Sequence, residues 1–341
     1  MASEVFLDGE FLDRGDARVS AFDAGVQHGV GLFETMSAVG TAEGARVFRL
    51  WHHMDRLATS ARALGLTESI DADALGEAVG ETVRRSGLAE GEGRRARVRL
   101  TITGGDLNLL QSEAKPVARP TVLIHVQPAT AYPEAMFDRG VTAAVADLRL
   151  NPFDPTQGHK TLNYWARLRE LQRASGRHAG EALVFQVTNH LAGGAVSNAV
   201  LVRDGVVMTP IARGEEQEVA EALGAGPGAP PRVVAGGGGS TAAMPSPVLP
   251  GVTRRFVLAT ARAQGLRVER RMLTIDDVFA ADEVMLTNSS WGVLPVVRVE
   301  QHLIATGEVG EVTRLLRAAW LAAETAEPEE EGEVEREAFE D

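Results

Sequence analysis

The 341-residue chain contains no cysteine, which excludes disulfides, thiolate nucleophiles and any cysteine-ligated metal. Long apolar runs are missing as well. No stretch reaches the roughly 18 residues that a membrane span needs, and Met1-Ala2-Ser3-Glu4-Val5-Phe6 has neither a basic start nor an apolar core; a cytoplasmic protein is expected. There is no basic stripe with interleaved aromatics, so nucleic acid is not expected as a partner. Tyrosine is nearly absent, with two residues. Lysine is equally scarce: of 34 Lys and Arg residues, Lys115 and Lys160 are the two lysines. A guanidinium stays protonated, whereas an ε-amine can lose its proton and attack a carbonyl. A lysine kept against such a bias is a candidate for work that arginine cannot do. Composition alone favours the plainer reading, in which an arginine-rich coding preference left two lysines by chance, so the surroundings of Lys160 must decide.

Apolar residues make up 44% of the chain, as in globular proteins, and the length fits two domains or one large one. The formal charge of −13 is unevenly spread: Glu324–Asp341 holds ten acids and one arginine, leaving about −4 for the remainder. That tail reads as a solvated, disordered segment. Val5–Leu12 reads as a hairpin turning at Asp8-Gly9. Phe48–Leu64 and Asp71–Ser86 read as amphipathic helices, the second closed by Gly87. Arg95–Thr103 alternates, with Ala96, Val98, Leu100 and Ile102 on one face and Arg97, Arg99, Thr101 and Thr103 on the other. With an apolar strand at Thr121–Val126, residues 1–130 form a small α+β domain. A linker at 131–137 leads to a larger, β-rich domain at 138–323. Its strands are expected at 141–147, 182–187, 199–203, 206–208, 267–271, 283–287 and 295–299, and its helices at 160–175, 253–265 and 312–323. Residues 212–247, with four successive glycines at Gly236–Gly239, read as a disordered insertion. Those glycines lack the Lys-Ser/Thr and the strand-to-helix setting of a phosphate loop.

Four segments carry the chemistry. One is Leu50-Trp51-His52-His53-Met54-Asp55-Arg56-Leu57. The second is Gly158-His159-Lys160-Thr161-Leu162-Asn163-Tyr164-Trp165. The third is Leu249-Pro250-Gly251-Val252-Thr253-Arg254, and the fourth Ala281–Ser289. In this order and spacing they resemble the class IV aminotransferases, the fold type IV pyridoxal-phosphate enzymes, over about Val5 to Leu321. That family includes branched-chain and D-amino acid aminotransferases and aminodeoxychorismate lyases. The resemblance implies an α+β fold with a small α/β sandwich domain and a larger β-barrel-like domain flanked by helices. It also implies a homodimer, because family sites draw residues from the partner subunit.

The same resemblance assigns roles. Lys160 forms the Schiff base with pyridoxal 5′-phosphate and then shuttles a proton. Arg56 binds the phosphate with its fork of donors, and Gly251-Val252-Thr253 offers the free N–H groups of a helix start to the same phosphate. Thr287-Asn288-Ser289 closes over phosphate and substrate, and Ser197-Asn198 belongs to the family block after the lysine helix. Asp23–Glu34 matches a glycine-rich block leading into a strand that lines the site, which places Phe33 and Thr35 near the reacting carbons. Its glycine spacing does not fit a dinucleotide loop. Taken singly, each segment has a structural reading: Arg56 as a surface charge, Leu249-Pro250-Gly251 as an ordinary turn. Tyr164 suits either a hydrogen bond to the cofactor's phenolate or packing between domains. Arg97 and Arg99 could meet a substrate carboxylate or form a salt-bridged strand face. No metal site is expected at His28, His52, His53 or His159: His52 and His53 are adjacent and cannot share a helix face, and His159 beside Lys160 reads as an orienting or packing residue.

One departure stands out. Glu181-Ala182-Leu183 and Ser197-Asn198 follow the family pattern, yet Gly193 replaces the glutamate that pairs with the pyridine nitrogen. That carboxylate keeps the ring protonated and electron-withdrawing. Water or a neighbour such as His190 could substitute, the chemistry could need less of it, or the chain could be a non-catalytic relative. Subfamily signals are mixed. Asn163 lies three residues after the lysine, as in D-amino acid enzymes and lyases, but Thr103–Asn108 lacks the D-specific Arg-x-His trap. Ser37 replaces an arginine common in branched-chain enzymes, and Asn288-Ser289 and Thr35 are closer to the lyases. An aminotransferase acting on an amino acid and a 2-oxo acid is the leading expectation, with a pyruvate-releasing lyase as the alternative.

Overall fold

The computed structural model describes residues 4–68, 70–106, 119–222, 233–235, 239–241 and 245–326. At the N-terminus, β1 (Glu4–Leu7) and β2 (Glu10–Asp13) form the expected hairpin. Asp8 and Gly9 take φ of 51° and 99°, the positive values that a two-residue Asp-Gly turn requires. A short helix, α1 (Ala24–His28), leads into the long strand β3 (Gly31–Thr41) and its partner β4 (Gly44–Val47). Helices α2 (Leu50–Ala63) and α3 (Ala72–Ser86) follow, the latter capped by Asp71 and closed by Gly87 in a left-handed conformation. With β5 (Arg95–Thr103) and β6 (Val122–Pro128) the sheet is complete, in the antiparallel order β2-β1-β6-β5-β3-β4. Lys115 and the end of the Thr103–Asn108 stretch lie outside the described residues.

Strand alternation divides this sheet into two chemistries. Leu32, Met36 and Ala38 of β3 and Ala96, Val98, Leu100 and Ile102 of β5 pack against Met54, Leu57 and Ala61 of α2 and Val79 and Val83 of α3. Phe33, Thr35, Arg97 and Arg99 fall on the opposite face, towards a large cavity.

A single helical turn, α4 (Ala135–Asp138), starts the second half. The linker expected around it is packed: Tyr132 meets Trp291 edge-on, with ring centroids 5.6 Å apart. Then come β7 (Val141–Leu150), α5 (Trp165–Gly176), β8 (Glu181–Gln186), β9 (Leu191–Gly194), β10 (Asn198–Arg203) and β11 (Val206–Thr209). Next are α6 (Glu216–Ala222), the small pair β12 (Val233–Ala235) and β13 (Gly239–Thr241), and α7 (Val252–Ala263). The last elements are β14 (Arg267–Arg270), α8 (Ile275–Phe279), β15 (Glu283–Asn288), β16 (Gly292–Val299), β17 (His302–Leu303) and α9 (Glu311–Thr325). Nine strands form one mixed sheet in the order β14-β11-β10-β15-β16-β7-β8-β9, with β17 pairing β16. Both of its faces are buried, which explains the unbroken burial along β8 and through Val202 of β10. The two curled sheets with flanking helices are the α+β architecture that the sequence implied. No helix among the described residues is long and apolar enough to cross a membrane.

Three boundaries differ from expectation. The helix expected at 160–175 starts only at Trp165. Lys160–Leu162 is instead extended and bonded to β3: Phe33 N–H donates to the Lys160 carbonyl at 2.9 Å and Leu162 N–H to the Gly31 carbonyl at 3.0 Å. The segment 212–247 is not wholly disordered. Ala212 and Ser246 are buried, and Glu215 pairs with the buried Arg254 of α7 at 2.7 Å; residues 223–232, 236–238 and 242–244 lie outside the described residues. The acidic tail does not begin at Glu324. That residue is the buried end of α9 and pairs with Arg95 of β5, because an acid facing a strand arginine gains a buried counter-charge; residues 327–341 lie outside the described residues.

Candidate active site

A cavity of about 540 Å³ opens between the two sheets, a volume suited to a cofactor and a small substrate. Lys160 reaches it from the extended segment beside β3. Its Nζ lies 4.4 Å from the Phe33 ring centroid and 5.3 Å from that of Tyr164. Phe33 and Tyr164 stand edge-to-face at 5.1 Å, so the lysine is held between two aromatic walls. Burial raises the Tyr164 hydroxyl pKa, but Lys160, Arg167 and Arg56 outweigh it and hold the phenol below its usual range. On the other side of the lysine, His159 Nδ1 is 2.9 Å from the Ser60 hydroxyl of α2. Burial, reinforced by the charge of Arg213, brings His159 down to about 4 and keeps the imidazole neutral at pH 7.

Arg56 enters from α2. It is 9% exposed and gripped by Glu34 of β3: Nε donates to Oε1 at 2.9 Å and Nη2 to Oε2 at 2.5 Å. His53 Nδ1 adds a 2.7 Å contact to the same carboxylate. Burial alone would raise the Glu34 pKa, yet Arg56 and His53 bring it down to about 2. Glu34 and His53 were not among the expected site residues. The signal was present in the alternation of β3, which turns Glu34 towards α2 on the same face as Leu32 and Met36.

Opposite Arg56, Gly251 caps α7 with no side-chain bond to the first-turn N–H groups. Arg56 Nη1 donates to the Pro250 carbonyl at 3.0 Å, tying β3, α2 and the start of α7 together. Val252, Thr253 and Thr287 line the cavity beside it. The hydroxyls of Thr253 and Thr287 are buried and have no hydrogen-bond partner among the described residues, a costly state unless something polar arrives. A phosphate dianion fits this cradle of arginine, helix N-terminus and two orphan hydroxyls. Asn198 supports it by donating to the Leu249 carbonyl at 2.8 Å. Asn288 shapes the adjacent loop, its amide donating to the Val196 carbonyl at 3.3 Å and its carbonyl accepting from Ser290 and Trp291 N–H. Ser289 lines the cavity next to it.

Thr35, Arg97 and Arg99 form the wall towards β5. Arg99 stacks 3.8 Å over Phe33, and Arg97 donates to Gln127 at 2.5 Å. Burial and the neighbouring Arg97 lower the Arg99 pKa, so an anion here relieves a repulsion. Ser197 lines the cavity as well and donates to the fully buried Glu181 at 3.0 Å. Gly193 sits in β9 between the lining residues Ala192 and Gly194 without itself reaching the cavity. His190, considered as a substitute for the missing glutamate, contacts Thr188 at 3.0 Å and does not line the cavity. The structure thus brings all the expected site residues to one cavity except Gly193.

The family model described as amino-transferase class IV matches residues 31–215 and 233–299. A putative branched-chain-amino-acid aminotransferase of Methanocaldococcus jannaschii is 28% identical over 319 residues, spanning 92% of this chain and 94% of its own length. The structure of the T.th. branched-chain amino acid aminotransferase with pyridoxamine 5′-phosphate superposes with a TM-score of 0.76 at 25% identity, covering 95% of each chain. That of 4-amino-4-deoxychorismate lyase from Pseudomonas aeruginosa gives 0.70 at 25% identity, covering 92% of this chain and 97% of the lyase.

Proposed function

The chain belongs to the class IV aminotransferase family and is an enzyme; from that premise we propose that it binds pyridoxal 5′-phosphate on Lys160 and moves an amino group between an amino acid and a 2-oxo acid. The observation that carries this reading is the sharing of one cavity by the Lys160 amine and the unpartnered hydroxyls of Thr253 and Thr287.

When bound, the cofactor supplies an aldehyde that condenses with amines and a ring that draws electrons from the bond being broken. Arg56, Val252, Thr253 and Thr287 would hold the phosphate, while Ser197, Asn198, Asn288 and Ser289 shape the walls around it. Lys160 Nζ would anchor the cofactor through its amine and, when free, would take up the proton from the substrate Cα. Tyr164 would hydrogen-bond the phenolic oxygen, and Phe33 would exclude water beside the lysine. Arg97 and Arg99 orient a substrate carboxylate, as their mutual repulsion favours. The domains read as 1–130 and 138–323, with the cavity between them, in a cytoplasmic homodimer. Trp165, 81% exposed, and Leu168 stand at the rim, an apolar face that a second copy would cover.

Mixing purified protein with pyridoxal phosphate should give a visible absorption band that Lys160→Ala abolishes; the absence of a band in the wild type overturns the reading. A screen of single amino acids should then convert that band to the pyridoxamine form. Thr35 on the cavity wall supports a second reading, a lyase that releases pyruvate. Pyruvate production from aminodeoxychorismate without any amino acceptor would establish it.

A further inference from the structure

Among the described residues lining the cavity there is no aspartate or glutamate, whereas Arg56, Arg97, Arg99, Lys160 and Arg167 all reach it. Building on the proposed cofactor, the chemistry of the pyridoxal molecule fixes its orientation. The aldehyde carbon is carried para to the ring nitrogen, with the phosphate arm and the phenolic oxygen on either side of it. With the aldehyde at Lys160, the arm at Arg56 and Thr253, and the phenolic oxygen at Tyr164, the nitrogen points away from the lysine. It would then face the wall that Ala192 and Gly194 of β9 and Val196 of the turn after it contribute to the cavity.

That wall has no side chain at Gly193 or Gly194. Arg167, in the first turn of α5, fills the space beside them. Its Nη1 donates to the Gly194 carbonyl at 3.4 Å and to the Ala195 carbonyl at 3.3 Å, both long for such bonds, and its guanidinium carbon lies 5.8 Å from the Tyr164 ring centroid. Among the described residues neither of these bonds goes to a carboxylate. The acid behind the wall, Glu181, is already engaged: it accepts from the Ser197 hydroxyl and from the N–H groups of Ala182 and Val196. A carboxylate facing the ring nitrogen accepts a proton-bearing N–H and stabilises the cation. A guanidinium can only donate, and its charge opposes a second cation beside it.

We infer that Arg167 faces the ring nitrogen of the bound cofactor and keeps it unprotonated. The ring is then a weaker electron sink than one paired with a carboxylate.

The test is nitrogen NMR of the wild-type protein loaded with pyridoxal phosphate labelled with ¹⁵N in the ring, since protonated and unprotonated pyridine nitrogens resonate far apart. At pH 7 the wild type should show the unprotonated signal. Arg167→Glu should move it to the protonated position, and Arg167→Gln should shift it measurably by removing the guanidinium charge. Arg167 is half-buried on a helix, and should Arg167→Glu fail to fold, Arg167→Gln carries the comparison alone. A protonated signal in the wild type overturns the inference, as does a signal that neither variant moves. Failure of the cofactor reading is separate: the lysine-dependent absorption band would then be missing before any NMR is recorded.

Discussion

Glu34 shows how a residue without a catalytic reputation can control one that has it. Its carboxylate is 1% exposed and holds Arg56 by two parallel bonds, fixing a guanidinium that would otherwise sample many rotamers. Glu34→Gln keeps the shape but leaves a buried arginine without its counter-charge. We expect a stability loss of about 3 kcal/mol in urea unfolding and at least a tenfold weaker hold on pyridoxal phosphate in a spectroscopic titration. Gly193 is a second such residue. It takes φ of 143°, and a methyl there would lie 2.7 Å from the Ser197 carbonyl oxygen. Restoring a side chain is therefore not a simple gain of a glutamate. Gly193→Ala should cost roughly 1–3 kcal/mol from backbone strain alone, read from the same unfolding curves. The loss of the family glutamate and the local backbone thus go together, and only the first of these is visible as a letter.

Elements are held by a few buried ion pairs whose partners lie far apart in the chain. The short helix α6 and the residues before it were read as part of a disordered insertion, because their acids and glycines look like solvated loop. Arg254 changes that reading. It is 2% exposed and receives Glu215 in a bidentate grip, with further bonds to Thr209 and the Pro210 carbonyl. Glu215→Ala should therefore destabilise the protein by about 3–5 kcal/mol, whereas a charge removed from a solvated loop would change it by less than about 0.5 kcal/mol. Chemical denaturation separates the two. The lysine segment makes the same point at the site. Helical periodicity ran through Lys160–Tyr164 on paper, but a β bridge between Leu32 and Thr161 wins over local propensity, because extended pairing with β3 is what aims the lysine between Phe33 and Tyr164.

For the molecule as a whole, titration couples to stability in two opposed windows. His159 is held at about 4 against an ordinary 6.5. The unfolded chain therefore binds a proton that the folded one does not, and stability present above 6.5 is lost as pH falls towards 4. Glu34, at about 2, extends that loss below pH 4.5. Glu324 runs the other way. Burial raises it to about 7 despite Arg95, so its contribution is full below pH 4.5 and is lost as pH rises through 7. Thermal melts should show His159→Gln flattening the decline from pH 6.5 to 4.5, and Glu324→Gln removing the decline from pH 5 to 8. If both variants melt with the wild-type pH profile, neither group is coupled to folding. Quaternary structure belongs to this scale as well: Trp165→Asp should shift the protein from dimer to monomer in light scattering if a second copy covers the cavity rim.

The sequence by itself determined most of the element types, the class of fold and the segments that converge on the cavity. Apolar periodicity, Asp-Gly turns and capping residues act over a few neighbours, and the family pattern is a one-dimensional pattern. It also pointed to Lys160, because scarcity and context can both be read along a line. Tertiary structure alone decided which charges meet. Glu34 with Arg56, Glu215 with Arg254, Arg95 with Glu324, and Arg167 beside the bare backbone at Gly194 are pairings across 22 to 229 residues. Coulomb attraction in a buried, low-dielectric setting depends on distance in space and on exclusion of water, and neither is written into the spacing of residues along the chain.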